Sequence, residues 1–185
     1  MDNFILFLEV GFHHILDGYD HLLFLAGLII VVKDLSSLFP VITAFTIAHS
    51  TTLILSALGI LSINPTLIET LIAASIAYVG IENLIRKRMQ YRWIIAGGFG
   101  LIHGAGFSGH LIELLKSVLG IGNMWLPLIG FNLGIEAGQF AVLLLIYPAI
   151  RFVQVKKKQD LIVSYVSVAI AVTGVALFIT RIWGG

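Results

Sequence analysis

Apolar residues form six long runs along the chain, and each run is bounded by a short polar, charged or glycine-rich segment. A membrane-spanning helix needs about 20 mainly apolar residues, and the six runs are close to that length. We therefore predict an all-α fold, a polytopic transmembrane helical bundle of about six spans, with residues 1–185 as a single domain. The predicted spans are roughly residues 15–32, 38–58, 66–85, 93–115, 125–150 and 161–183. Residues 1–14 are apolar but short, and we expect them to form an outer-mouth or interfacial segment.

Basic residues are concentrated in alternate loops between the predicted spans. They follow the first, third and fifth spans: Lys33; Arg86, Lys87, Arg88 and Arg92; Arg151, Lys156, Lys157 and Lys158. Cytoplasmic loops carry the excess of lysine and arginine in membrane proteins, so we expect both termini to be extracytoplasmic. The N-terminus shows neither the basic segment nor the cleavage site of a signal peptide. We expect a multi-pass protein of the cell inner (plasma) membrane, inserted by its first helix.

The composition supports a membrane protein and limits the chemistry of any site. The chain is 58% hydrophobic and only 11% charged, whereas soluble domains average about 25% charged residues. The net charge of +1 gives no reason to expect nucleic acid as a partner; the lipid bilayer is the expected surrounding. Without cysteine, a metal site must use imidazole, carboxylate, amide or hydroxyl groups, which suit nickel, cobalt or zinc better than Cu(I).

Residues 13–21 hold three histidines and two aspartates immediately before the first long apolar stretch. Ionisable groups within a membrane are costly and persist where they pair, bind a metal or face water. On a continuous helix His14, Asp17 and His21 would share one face, and imidazole and carboxylate groups at this spacing chelate a divalent ion. Gly18 is expected to interrupt that helix.

The members of this stretch differ in the role that we expect for them. Asp20 and His21 lie deepest, directly before the apolar run, and we favour a functional role for both. For His13 we favour a solvated position at the mouth of the helix.

Single polar residues interrupt the later spans near the middle of the membrane. A lone glutamate at that depth needs a cation or a proton, so Glu136 is a candidate ligand together with His49 and His103. A histidine that is hydrogen-bonded between helices is the alternative for His49 and for His103. Small residues spaced four apart within residues 100–104 and 130–138 allow close helix packing. Such packing would turn these polar groups toward other helices.

The candidate residues fall into two sets, and no catalytic residue is assigned. The candidate metal ligands are His14, Asp20, His21, His49, His103 and Glu136. The residues expected to support them or to line a pathway are Asp17, Ser50, Glu69, Glu82, Asn83, Asn132 and Gln139. Glu82 has an alternative role as the partner of Arg86 one helical turn further on. The sequence has no Ser-His-Asp order, glycine-rich phosphate loop or His-Glu-x-x-His pattern.

Five segments in combination resemble the HupE/UreJ family. They are His14-Ile15-x-x-Gly18-x-Asp20-His21-x-x-Phe24-Leu25, Phe45-Thr46-x-Ala48-His49-Ser50-x-Thr52-Leu53, Glu69-x-x-x-Ala73-x-Ser75 with Glu82-Asn83, Phe99-Gly100-Leu101-x-His103-Gly104-x-Gly106-Phe107, and Phe131-Asn132-x-Gly134-x-Glu136-x-Gly138-Gln139. His13 and Asp17 lie outside this pattern, and the sixth span carries no family motif. The resemblance implies a small polytopic membrane protein, associated with hydrogenase or urease accessory functions and described as a nickel or cobalt permease.

Two functions fit these observations, and they differ in whether the metal moves. The first is a permease for a divalent transition metal ion, nickel or cobalt above all, driven by the membrane potential, a proton gradient or the metal gradient. Metal would enter at Asp20 and His21 and pass to a midplane site of His49, His103 and Glu136. The alternative is an intramembrane zinc-dependent hydrolase acting on a lipid or peptide, in which a bound metal activates water. A third hypothesis is a metal sensor or an accessory subunit that binds a partner. The sequence does not specify the oligomeric state, and a homo-oligomer is possible.

Overall fold

The computed structural model describes residues 2–32, 35–85, 91–119, 124–154 and 159–184. All regular secondary structure within these residues is α-helical, so the all-α prediction is confirmed. The helices in chain order are α1 (Asp2–Asp17), α2 (Tyr19–Ile29), α3 (Leu35–Ala57), α4 (Pro65–Ile85), α5 (Arg92–Leu119), α6 (Trp125–Gln154) and α7 (Gln159–Trp183).

Four of these helices are long and apolar enough to cross a membrane. The stretches are Ser36–Ala57, Pro65–Ile85, Trp125–Ala149 and Asp160–Trp183. They coincide with the second, third, fifth and sixth predicted spans. The fourth predicted span lies within α5, which is one continuous helix. Glycines and histidines interrupt the apolar sequence of this helix. The total of six spans therefore stays a prediction.

The region of the first predicted span is divided between two helices. Helix α1 ends at Asp17 and α2 begins at Tyr19, with Gly18 between them. Gly18 has φ −79° and ψ 89°, and this ψ turns the chain away from the helical path. The interruption expected at Gly18 is confirmed. Helix α2 has 11 residues, which gives it a length of about 16 Å.

Helix α1 packs along α6 through a stripe of glycines. A Cβ atom on Gly130 would meet the carbonyl oxygen of Phe4, and one on Gly134 would overlap that of Leu8. Residue numbers rise together along both helices, so α1 and α6 run in the same direction. Residues 2–14 therefore pack against α6, and their place at the outer mouth or membrane interface stays a prediction.

Helices α3 and α5 form a second close pair. A Cβ atom on Gly100 would meet the carbonyl oxygen of Phe45, and one on Gly104 would overlap that of His49. The two helices are therefore parallel, and their backbones approach closely because the glycines carry no side chain. The close packing predicted from the small-residue spacing of residues 100–104 and 130–138 is confirmed.

The third close pair joins α4 and α7. Gly80 faces the backbone of Ala171, and Gly174 faces the backbone of Ala77. Residue numbers fall along one helix as they rise along the other, so this pair is antiparallel. Three glycine-packed pairs (α1 with α6, α3 with α5, and α4 with α7) thus make the largest helix–helix contacts among the described residues.

Helix α2 lies between two apolar clusters and contributes to both. Leu25 and Ile29 belong to one buried cluster, whereas Phe24 and Leu28 belong to the other. Within each pair the residues are four positions apart, and the two pairs are rotated by about 100° around α2, so two adjacent faces of the helix are buried. The consequence is that α2, although short, occupies the centre of the bundle.

Most of the loop charges that predict the topology lie outside the described residues. These are Lys33, Arg86, Lys87, Arg88, Lys156, Lys157 and Lys158. The orientation of the termini and the Glu82–Arg86 alternative therefore stay predictions. Arg92, which was counted among the loop charges, is buried at the start of α5 and donates hydrogen bonds to the Leu28 carbonyl and the Asn83 side chain.

Candidate metal centre

Four histidine rings from four different helices meet at the centre of the bundle. His14 lies near the end of α1 and His21 near the start of α2, whereas His49 and His103 lie within α3 and α5. The ring centroid of His21 is 4.6 Å from that of His14, 5.9 Å from that of His49 and 5.1 Å from that of His103. His21 is thus the central member, and residues separated by up to 89 positions converge on it.

Three of the four histidines form a compact donor group. Each of His14, His21 and His49 offers one ring nitrogen, and these nitrogens lie within 4.8 Å of one another. Metal–nitrogen bonds of about 2.1 Å bring ligand nitrogens to about 3–3.5 Å of one another, so the rings would close by about 1 Å around an ion. Imidazole suits nickel, cobalt and zinc, so the donor set fits the metals expected from the sequence.

His49 has an unusual hydrogen-bonding environment. Its side chain is fully buried, yet neither ring nitrogen has a hydrogen-bond partner among the described residues. A neutral imidazole carries one donor and one acceptor, and leaving either unpaired in the interior costs about 1–3 kcal/mol. The alternative of a histidine hydrogen-bonded between helices therefore does not account for His49. A metal ion bound by one nitrogen would remove part of this cost.

The tautomer of His103 follows from its contact with Ser75. Ser75 Oγ lies 2.6 Å from the carbonyl oxygen of Ile72 and 2.9 Å from His103 Nε2. The carbonyl only accepts, so the single hydroxyl hydrogen goes to Ile72 and Ser75 accepts a hydrogen bond from His103. Nε2 therefore carries the proton, and Nδ1 keeps its lone pair. Nδ1 is buried and has no hydrogen-bond partner within the described ranges.

This arrangement prepares His103 as a ligand next to the compact group. A hydrogen-bond acceptor behind a ligating histidine commonly fixes both its tautomer and its ring orientation. The interhelical hydrogen bond that the sequence offered as an alternative for His103 is present, but it engages only one of the two nitrogens. His103 is therefore held by α4 on one side and faces His21 on the other.

Gly18 allows the first two histidines to meet. A Cβ atom at this position would lie 2.7 Å from the carbonyl oxygen of His14 and 2.8 Å from Nδ1 of His21. Both distances are shorter than real Cβ contacts, so a side chain here would displace the His21 ring. The break also changes the face that a continuous helix predicts, because Asp17 is separated from His21 by the turn.

Aromatic rings close one side of the histidine cluster. Phe24 and Phe45 lie 4.9 Å and 5.4 Å from the ring of His103 and 5.4 Å from each other, measured between centroids. Beside them is a cavity of about 10 Å³, lined mainly by apolar side chains and by His21 and Gln139. This volume corresponds to roughly one water molecule. This cavity is therefore too small to serve as a broad aqueous passage beside the rings.

A second approach to the cluster is an open cleft of about 540 Å³ that reaches His14. It is lined by Leu6, Glu9, Val10, His13, His14, Asp17 and Gly18. The side chains of His13 and Asp17 are 66% and 79% exposed, and Nδ1 of His13 lies 3.8 Å from Oδ2 of Asp17. His13 is thus at an exposed mouth, as the sequence favoured, and Asp17 lines the approach to His14.

Asp20 points toward α7 and interacts with an arginine. Its Oδ2 atom accepts a hydrogen bond of 2.7 Å from Nη2 of Arg181, and both side chains are largely buried. Asp20 does not belong to the compact donor group among the described residues. The two residues at which metal was expected to enter therefore have different partners. His21 lies with the other histidines, whereas Asp20 is bound by Arg181.

Glu136 lies on the face of α6 that contacts α3. Asn132 and Gln139 share this face, and they accept hydrogen bonds from Ser50 at 2.5 Å and from Thr46 at 2.6 Å. Glu136 is partly buried between these two links. Within the described residues its carboxylate is not in the compact group, so its role as a metal ligand stays a prediction.

The acidic residues of the third predicted span lie apart from the histidines. Glu69 is exposed near the start of α4. Glu82 accepts a hydrogen bond from Tyr78, and the side-chain amide of Asn83 donates to the carbonyl oxygen of Gly27 at 2.8 Å. Gly27 is six residues beyond His21, or about 9 Å along α2. Asn83 thus holds the far end of α2 and does not reach the donor group.

Two residues important for this geometry were missing from the candidates drawn from the sequence. Ser75 stood in the family pattern but was not assigned to the site, although a lone serine in an apolar span is a signal for a buried hydrogen bond. Arg181 resembled an ordinary interfacial cation near the end of the last span. Its contact with Asp20 bridges 161 positions. The signal in the sequence was that a buried Asp20 needs a counter-charge, and Arg181 supplies one.

The fold and the cluster define a class of protein: an all-helical protein fit for multiple membrane crossings, with histidines gathered in its core. The family model of the HupE / UreJ protein matches residues 1–182. The chain therefore belongs to the HupE/UreJ family, and the resemblance drawn from its motifs is confirmed. No curated protein matches the chain, and no solved structure does either.

Proposed function

We propose that this protein is a membrane permease for Ni²⁺ or Co²⁺, located in the inner (plasma) membrane. The observation that carries the proposal is the convergence of His14, His21 and His49 within 4.8 Å inside a helical bundle. Ionisable groups buried in a membrane protein commonly mark an ion pathway. Membership of the HupE/UreJ family supports the same choice of metals.

The proposed path begins at the open cleft and reaches the histidine cluster through His14. The metal ion loses water there and gains imidazole ligands, with His103 available as a further ligand through Nδ1. Phe24 and Phe45 restrict passage on the other side, so transport requires a rearrangement of the bundle. Alternating access around a central site is the usual solution in secondary transporters.

Glu136 is proposed to act on the same path beside the cluster. Its position on the α3-facing side of α6, between Asn132 and Gln139, supports this role. A carboxylate there would balance the charge of a divalent ion that leaves neutral imidazoles. We expect Glu136→Gln to slow uptake, with a smaller effect on equilibrium binding than the histidine substitutions.

Uptake of Co²⁺ or Ni²⁺ into liposomes tests the permease directly. His49→Ala removes a buried ligand, and we expect it to reduce the initial rate at least about tenfold, given the 10–100-fold losses typical of disturbed metal sites. Thr51→Ala is the matched control, because Thr51 is exposed on the same helix and its hydroxyl donates a hydrogen bond to the carbonyl oxygen of Ile47 within α3. Equal rates for the His49→Ala and wild-type proteins, at equal amounts of folded protein, would contradict the proposal.

One observation favours an intramembrane zinc-dependent hydrolase as the second candidate. Three histidines with an open fourth position are the ligand set of several catalytic zinc sites. The liposome assay separates the two functions: a protein that binds Zn²⁺, passes no Co²⁺ or Ni²⁺, and hydrolyses lipid or peptide only when His49 is intact would favour the hydrolase.

A further inference from the structure

Arg181 connects the last helix to α2 and α4 through three hydrogen bonds. Its Nη2 atom donates to Oδ2 of Asp20 at 2.7 Å and to the hydroxyl of Tyr19 at 3.1 Å. Its Nη1 atom donates to the carbonyl oxygen of Glu69 at 2.9 Å. Arg181 therefore ties α2 to α4 and α7 at the end of α2 that carries His21.

Asp20 uses only one of its two oxygens in this contact. Arginine and carboxylate groups often pair through two parallel hydrogen bonds, but Oδ1 of Asp20 is buried and has no hydrogen-bond partner among the described residues. An unpaired buried carboxylate oxygen is costly. Asp20 thus retains an acceptor that Arg181 does not satisfy.

The location of Asp20 makes this remaining acceptor relevant to the metal site. Asp20 directly precedes His21, the central member of the cluster. The compact group of His14, His21 and His49 contains no carboxylate, so a divalent ion bound there brings two positive charges without a counter-charge. Like charges repel, and opposite charges attract more strongly in a low-dielectric interior. A divalent ion and Arg181 therefore compete for the negative charge of Asp20.

We propose that Arg181 is a tethered cation that neutralises Asp20 before metal binds and yields this carboxylate to the incoming divalent ion. The inference rests on the proposed metal site and concerns what determines the affinity of that site for metal. Arg181 lies two residues before the end of α7, so its guanidinium can turn toward solvent without moving the helix.

This exchange keeps the net charge near the site from rising by the full charge of the metal. It also limits affinity, because the metal must displace Arg181 from Asp20. Weak enough binding is a requirement for a transporter, since a tightly held ion is released slowly. Arg181 is thus a positioning residue that lowers metal affinity in favour of release.

Equilibrium titration of the purified full-length protein in detergent with Co²⁺ tests the proposal. We expect Arg181→Gln to raise the affinity for Co²⁺ by about tenfold, within the range of typical coupling effects. The gain should disappear in the Arg181→Gln/Asp20→Asn double variant, which should bind no more tightly than Asp20→Asn. A merely structural role for Arg181 predicts the opposite sign, because loss of packing weakens binding.

A milder variant keeps the proposal testable if Arg181→Gln fails to fold. Tyr19 is exposed, and Tyr19→Phe removes one acceptor of Arg181 while leaving Asp20 and the histidines intact. We expect about a twofold to threefold gain in Co²⁺ affinity, smaller than for Arg181→Gln because the Asp20 contact remains. Tyr165→Phe, a change of an exposed tyrosine elsewhere on α7, is the matched control and should leave the affinity unchanged.

Two results would overturn the proposal. One is a folded Arg181→Gln or Tyr19→Phe protein that binds Co²⁺ no more tightly than wild type. The other is a gain in affinity that persists when Asp20 is replaced by asparagine. A wild-type protein that binds Co²⁺ but transports none refutes the permease while leaving this inference intact, so the two failures are distinguishable.

Discussion

Replacement of Gly18 by alanine should reduce metal affinity without preventing folding. The φ angle of −79° is one that alanine also adopts, so the backbone does not require glycine. The limited space beside Gly18 does require glycine, because the added Cβ atom would lie 2.7 Å from the His14 carbonyl oxygen and 2.8 Å from His21 Nδ1. The effect of the substitution is therefore steric and is directed at the histidine cluster.

The size of the effect follows from these distances. Ordinary contacts of a Cβ atom begin at 3.4 Å, so the His21 ring or the turn must move by about 0.6–0.7 Å. Binding groups need placement within about 0.5 Å of their productive geometry. The displacement exceeds this tolerance, and we expect Gly18→Ala to weaken Co²⁺ binding about 10–100-fold, as disturbed supports of metal ligands do.

Isothermal titration with Co²⁺ and thermal unfolding in the same detergent measure the two expected effects. Gly98→Ala is the matched control, since nothing lies within 4 Å of a Cβ atom at that position. We expect wild-type affinity for Gly98→Ala and melting temperatures within a few degrees for both variants. If Gly18→Ala binds Co²⁺ as tightly as Gly98→Ala, the reasoning that Gly18 positions His21 is wrong.

Two further substitutions probe the supports of the site and of the bundle. Ser75→Ala removes the acceptor that fixes the His103 tautomer, so Co²⁺ affinity should fall about tenfold in the same titration. Thr70→Ala, which removes an exposed hydroxyl bonded within α4, should leave it unchanged, and equal affinities for the two variants would contradict the assigned tautomer. Gly134→Val would overlap the Leu8 backbone and should destabilise the protein by about 1–3 kcal/mol or more. An unchanged melting temperature would contradict the close α1–α6 contact.

The helical class and most of the buried chemistry were predictable from local sequence patterns. Long apolar runs predict helices whatever their partners, and four of them are confirmed as long and apolar enough to cross a membrane. A histidine in an apolar run of a membrane protein almost always faces the protein interior, and His49 and His103 are both fully buried, as expected. Glycines four residues apart indicated the close helix pairs for the same local reason.

The arrangement of the site depends on contacts that no local pattern encodes. The break at Gly18 and the common face of His14 and His21 were both expected. A continuous helix misplaces Asp17, which is exposed and lines the cleft. The pairing of Asp20 with Arg181 joins opposite ends of the chain. Glu136 was grouped with His49 because both residues lie at a similar depth in the predicted spans. The position of a residue along its helix does not specify which neighbouring side chains the residue reaches.

The aromatic closure beside the histidines has a consequence for cellular energetics. Protons cross membranes rapidly along continuous chains of hydrogen-bonded water, and the cavity beside Phe24 and Phe45 holds only about one water molecule. A water chain through this cavity would therefore be broken at the aromatic rings. If the protein spans an energised membrane, as we propose, these rings would limit the leakage of protons through this part of the bundle.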